Sequence, residues 1–99
     1  MAVVQTFNPA YGGGTTISVT STSSAVLRGY GSASLCLTNF GDEVVYVRVS
    51  KGTVAATTAD YPVMPLAQVT ITKDVDMDTV SAITASSTSS LHVIAGEGF

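Results

Sequence analysis

The chain has 99 residues, a net charge of −3, 45% hydrophobic residues and only 11% charged ones. That length makes one domain with one modest core. The four cations, Arg28, Arg48, Lys51 and Lys73, are scattered, and without a basic stripe to neutralise phosphates, nucleic acid is excluded as a partner.

No run approaches the roughly 18 apolar residues of a membrane span. The opening Met1-Ala-Val-Val-Gln-Thr-Phe7 lacks the basic and apolar regions of a signal peptide. Cys36 is the single cysteine, so no internal disulfide forms. The expectation is a chain made in a reducing cytoplasm, with no membrane partner. Its polarity comes from Ser and Thr, whose neutral hydroxyls cost far less to bury than charges do. Such a surface suits contact with other protein.

No stretch sustains an apolar period of 3.6, and short β-rich runs are separated by Gly, Pro, Asp and Ser. Val3 to Phe7 reads as a first strand or extended arm, interrupted by Asn8-Pro9 and by Gly12-Gly13-Gly14, so that residues 1–14 form a candidate arm with a glycine hinge. Thr16 to Thr20 is a strand with Ile17 and Val19 on one face. It breaks at Ser21 to Ser24 and continues over Ala25 to Arg28. After Gly29-Tyr30-Gly31, Ala33, Leu35 and Leu37 alternate with Ser34, Cys36 and Thr38. Asn39-Phe40-Gly41-Asp42 reads as a turn. Val45, Val47 and Val49 then face inward, opposite Val44, Tyr46 and Arg48. These two runs are expected to form a hairpin.

Lys51-Gly52 turns the chain, and Thr53 to Asp60 is small and polar. Tyr61 to Pro65 is expected to be a loop, because two prolines exclude a central strand. Ala67 to Thr72 is a strand with Val69 and Ile71 buried. Lys73 to Asp78 turns into Thr79 to Ala85, and Ser86 to Ser90 leads to a last strand, Leu91 to Ala95. The sum is an all-β chain: one small antiparallel β-sandwich or jelly roll over residues 1–99, about seven to eight short strands, with no substantial helix.

Reactive groups are few and lack companions. Asp74, Asp76 and Asp78 are a weak candidate for Ca²⁺. An EF-hand loop needs Gly at its sixth position and Glu at its twelfth, where this chain has Thr79 and Ala85, so a solvated acidic turn explains them better. His92 and Cys36 lack the partners that a zinc site or a nucleophilic dyad requires. They read as a sheet-face histidine and a small buried hydrophobe. Nothing in the spacing brings Glu43 and Glu97 together. Gly12 to Gly14 lacks the Lys and helix start of a phosphate loop, and Arg28-Gly-Tyr-Gly31 is a single turn. No catalytic residue, cofactor or metal is assigned, and the chain is read as no enzyme. The candidates for partner binding are Val3, Val4, Phe7, Tyr11, Tyr61 and Met64. Tyr61 stands first, because tyrosine combines large contact area with a hydroxyl.

Four segments carry a family resemblance: Leu35-X-Leu-Thr-Asn39, Val44-Val-Tyr-Val-Arg48, Ala56-Thr-Thr-Ala-Asp-Tyr-Pro62 and Val93-X-X-Gly-Glu-Gly98. Over residues 33 to 98 the chain resembles small bacteriophage virion proteins of the capsid decoration (cement) type, in which a Leu-X-Val-Thr-Asn strand pairs with a Val-Tyr-Val-Arg strand. The N-terminal third carries no such likeness. The resemblance implies a β-sandwich that clamps neighbouring major capsid protein subunits on the outer shell, commonly as a homotrimer. The expected location is then the virion surface, after synthesis in the host cytoplasm. Met1 to Phe7, hinged by the glycines, is the segment expected to add a strand to a neighbour's open sheet edge. The alternative is a receptor- or glycan-binding module of a phage tail, spike or head fibre, against which the lack of Trp and the scarcity of charged partners both count.

Overall fold

A computed structural model of the chain describes residues 7–27 and 31–97. These form nine strands and no helix: β1 (Asn8–Pro9), β2 (Thr15–Val19), β3 (Ser24–Leu27), β4 (Ser34–Asn39), β5 (Val45–Ser50), β6 (Tyr61–Val63), β7 (Gln68–Thr72), β8 (Thr79–Thr84) and β9 (Ser89–Glu97). Sheet A runs β1-β9-β4-β7, with β2 also on β9, and sheet B runs β3-β8-β5-β6.

The pairings β2·β9, β3·β8, β4·β7 and β5·β6 are all antiparallel. The chain is therefore one long hairpin, in which each outgoing strand meets its returning partner. It is rolled up so that β9 also meets β4 and β8 also meets β5. That is the strand order of a jelly roll, which settles the choice left open between a plain sandwich and a roll. β1 and β2 together form one interrupted edge strand. Pro9 faces Gly96 and Thr15 faces Val93, six steps along the edge against three along β9, so three residues are looped out between them.

Period-two alternation builds the core. Ile17, Val19, Leu35, Leu37, Val45, Val47, Val63, Val80, Ala82, Leu91, Val93 and Ala95 form one buried cluster, with Val26, Val49, Val69 and Ile71 packed against it. The inward sets expected for the second, fourth and fifth strands are those observed.

Three local expectations change. The runs on either side of Asn39-Phe-Gly-Asp42 do not form a hairpin. β4 pairs with β7 and β9, whereas β5 pairs with β6 and β8, so the turn is an arch between the two sheets. Asn39 shapes it from a fully buried position. Its Nδ2 donates to the carbonyls of Glu43 (2.7 Å) and Val63 (3.0 Å), and its Oδ1 accepts from the Gly41 N–H (3.0 Å) and the Ser89 hydroxyl (2.7 Å). With every polar atom of the amide engaged, the side chain fastens β4, β6 and β9 together. Gly41 is required beside it, since a Cβ there would lie 2.0 Å from Ser89 Oγ and 2.9 Å from its Cα.

Second, Tyr61 to Val63 is a strand rather than a loop. Pro62 is tolerated because β6 is the edge of sheet B, where one missing N–H breaks no ladder. Third, the base of the N-terminal arm is held: Asn8 and Pro9 pair with Glu97 and Gly96. The remainder of the arm, residues 1–6, lies outside the described residues.

Candidate interaction surfaces

The outer faces of the two sheets are finished differently. On sheet B the strand β8 is buried on both sides, with Thr79 and Ser81 fully covered although they point away from the core. The cover is the chain from 51 to 60 between β5 and β6, which crosses the sheet as a strap. Ala56, only 3% exposed, donates its N–H to Ser23 Oγ (2.9 Å) just before β3, on the far side of the sheet. The other end is pinned by Arg48 and Asp60. Nε lies 3.1 Å from both carboxylate oxygens and Nη2 lies 2.9 Å from Oδ1. The Arg48 hydrogen bond, helped by the Thr57 N–H, holds the Asp60 carboxyl below its ordinary pKa of 3.8. Beneath the strap the Ser81 hydroxyl is buried with no hydrogen-bond partner.

Sheet A has no such strap among the described residues. A shallow groove on its outer face has Phe7, Pro9 and Phe40 as walls, and Cys36, Thr38, Gln68, His92 and Ile94 as floor. Phe40 and the His92 imidazole meet edge to face, with centroids 6.3 Å apart. The ring also lies against Gly14, where a Cβ would come within 2.7 Å of it. A larger residue at this glycine would therefore push the His92 ring aside. Outward from the groove the surface is hydroxyl and amide: Thr16, Ser18, Gln68, Thr70 and Thr72 are all exposed, and none carries charge.

Between the free side of β7 and the end of β5 that runs beyond β6 a second opening reaches toward the core. It is lined by Val47, Val49, Tyr61, Ile71 and Met77, with Lys73 and Asp74 at its rim. Burial pushes the Lys73 ammonium below its usual pKa, and it donates to the carbonyls of Ser32 (2.5 Å) and Asp74 (3.2 Å).

The residues singled out from sequence fall as follows. Tyr61 is 50% exposed and lines the cleft. Phe7 is half-buried in the sheet A groove. Tyr11 and Met64 are exposed. Val3 and Val4 lie outside the described residues. Asp74, Asp76 and Asp78 do not gather; among the described residues no group of three or more His, Cys, Asp or Glu could hold a metal ion. Asp78 instead accepts from the Gly52 N–H (3.1 Å) and the Thr79 hydroxyl (3.0 Å), which holds its carboxyl below the ordinary value. Asp76 lies 3.8 Å from Lys51 Nζ. Cys36 is buried and forms no disulfide. Glu97 accepts from the Ala33 N–H at one end of β4, and the Glu43 carbonyl accepts from Asn39 at the other, so the two acids are not a pair.

Sequence reasoning missed Phe40 and Leu66, exposed by 62% and 79%. Phe40 continues the outward parity of Ser34, Cys36 and Thr38, a signal that a hairpin reading hides. Leu66 follows Pro65 in a turn closed by the Ala67 N–H on the Met64 carbonyl (3.1 Å) and has a φ of 59°, where glycine is the usual occupant.

No protein-family model and no curated protein matches the chain. Its fold is similar to that of a solved structure described as "Bacillus endospore appendages form a novel family of disulfide-linked pili", with a TM-score of 0.52 and 12% sequence identity. The likeness covers 97% of this chain and 89% of that one.

Proposed function

We propose that this chain is a structural subunit of a phage particle, a capsid decoration protein that lies against major capsid protein on the outer shell. The observation that carries the reading is the contrast between the two sheets. A strap covers sheet B, and among the described residues sheet A presents an uncharged, hydroxyl-rich surface with an apolar groove. A jelly roll supports many roles, capsid and lectin domains among them, so the fold alone does not choose. The choice rests on the virion-protein resemblance over residues 33 to 98, together with a site chemistry in which no nucleophile, base or metal set is assembled among the described residues. In this reading the subunit stabilises the shell by bridging neighbouring capsid proteins. Several modest contacts made at once by an oligomer, a trimer in the resembling proteins, add up to tight attachment.

The test is to mix purified chain with shells that lack it, then to follow co-sedimentation and the temperature at which the shells open. Binding at regular stoichiometry with a raised opening temperature is expected. Absence of binding overturns the reading.

A second reading, a subunit of a fibre, is favoured by the fold likeness to the pilus protein. The disulfide linkage described for those pili has no ready counterpart here, because Cys36 is buried in the interior strand β4. Polymerisation of this chain would rest on non-covalent contacts.

A further inference from the structure

We propose that the free edge of β7 is a strand acceptor, and that its occupant is residues 1–6 of a second copy of this chain. The Asn39 N–H bonds the Ala67 carbonyl and the Lys73 N–H bonds the Ala33 carbonyl. In an antiparallel pair that fixes the alternation. Val69 and Ile71 turn their backbone groups toward β4, whereas Gln68, Thr70 and Thr72 turn theirs away from it. Among the described residues no strand lies on that side.

Exposed edges are usually blunted by proline, charge or a bulge. The edge strands β1 and β6 carry Pro9 and Pro62, whereas the edge strands β2, β3 and β7 have neither proline nor charge, and of these three β7 is the one that lends residues to a cleft. Beside this edge the cleft lined by Val47, Val49, Tyr61, Ile71 and Met77 opens toward the core. A strand added to β7 places alternate side chains over that cleft, so main-chain pairing and apolar burial come together.

Residues 1–6, Met-Ala-Val-Val-Gln-Thr, match such a strand: they are short, rich in valine and free of side-chain charge. Reach decides whose segment it is. β1 sits on the opposite edge of sheet A from β7, so the acceptor position beyond β7 is four strand spacings or about 19 Å from it. Six extended residues span about 20 Å, so a chain crossing its own sheet keeps almost nothing with which to pair. A second copy brings all six. Because β7 belongs to every copy, the exchange either closes reciprocally or propagates, and it holds whether the assembly sits on a capsid or stands alone.

The experiment uses the full chain, a variant lacking residues 1–6, and Thr70→Pro, which removes one outward N–H at a position where proline breaks no bond to β4. Molecular mass is measured by sedimentation over a concentration series, with urea unfolding as the folding control. If Thr70→Pro does not fold, the double variant Thr70→Lys, Thr72→Lys replaces it. The full chain is expected to associate, each variant alone to stay monomeric, and the two variants mixed to form a one-to-one dimer, arm from one and edge from the other. A monomeric full chain, undiminished association without residues 1–6, or variants that fail to complement would each overturn the proposal. Lost self-association with retained binding to shells would overturn this inference and leave the capsid reading standing.

Discussion

Sheets A and B are built by the same alternation and share one core, yet among the described residues only sheet B is crossed by a strap of its own chain. On sheet B, Thr79 and Ser81 are covered on the outer face, where a ten-residue strap ends in the Arg48–Asp60 pair. The equivalent surface of sheet A carries Thr16, Ser18, Thr70 and Thr72 exposed around a groove. Strand sequence does not create this difference, since both outer faces are largely small and hydroxylic. The difference lies in one connection. The link from β5 to β6 is longer than a turn requires, and the excess chain becomes a lid. A face that the chain covers serves stability, and a face left uncovered with no charge to hydrate it is the one available to other protein.

The comparison is broken most severely at the joint that holds the sheets together. Asn39→Ala removes four hydrogen bonds, two of them buried and two partly so, and takes this partner from the Glu43 and Val63 carbonyls, the Gly41 N–H and the Ser89 hydroxyl. At about 1–3 kcal/mol for each buried group left unmade, unfolding in urea should show a loss of about 3 kcal/mol or more. A loss under about 1 kcal/mol would mean that the arch does not depend on this amide.

The next effect has the opposite sign. Ser81 buries a hydroxyl without a partner, so Ser81→Ala should raise stability by about 1 kcal/mol in the same assay. A loss of stability instead would place a bridging water beneath the strap.

Asp60→Asn sharpens the contrast without touching the core. It weakens the pin that holds the strap, so hydrogen exchange at the Ala56 amide should accelerate while the amides of β4 and β9 in sheet A keep their protection. Equal acceleration on both sheets would show that the strap is part of the global fold rather than a local cover.

Acid should reproduce that local release. The Asp60 carboxyl has its pKa lowered by Arg48 and Thr57. Its contribution is therefore complete above the unfolded value of 3.8 and is lost as pH falls through the lower folded value. Exchange at Ala56 measured down that range should rise only below pH 3.8 in the native chain. In Asp60→Asn it should already be fast, and the pH dependence that remains should be the smaller one of Asp78, whose carboxyl, also of lowered pKa, holds Gly52 at the start of the strap.

Local pattern carried much of the fold. The inward valines of β5 and the leucines of β4 are legible from spacing alone, because period two admits one buried face. What spacing could not give was partnership. Asn39-Phe-Gly-Asp42 has the residues of a tight turn whether the next strand joins the same sheet or the opposite one, and the decision is made by Ser89 and Val63, 50 and 24 residues away. Pro62 argued against a strand only on the assumption of a central position. The strap was hidden for a related reason: Ala56 looks like loop alanine, and its burial depends on Ser23 in a distant segment. The sheet A groove was half visible, since Phe7 stood out but Phe40 was assigned to a turn tip. The virion setting is what the resemblance over residues 33 to 98 implies, and no contact within the molecule bears on it.

The central claim, that this chain is a repeated subunit of a shell, is tested most directly by counting its copies in purified particles with quantitative mass spectrometry against labelled peptides. The account predicts copies in the hundreds, in fixed proportion to the major capsid protein. A dozen copies or fewer, or none, would contradict it.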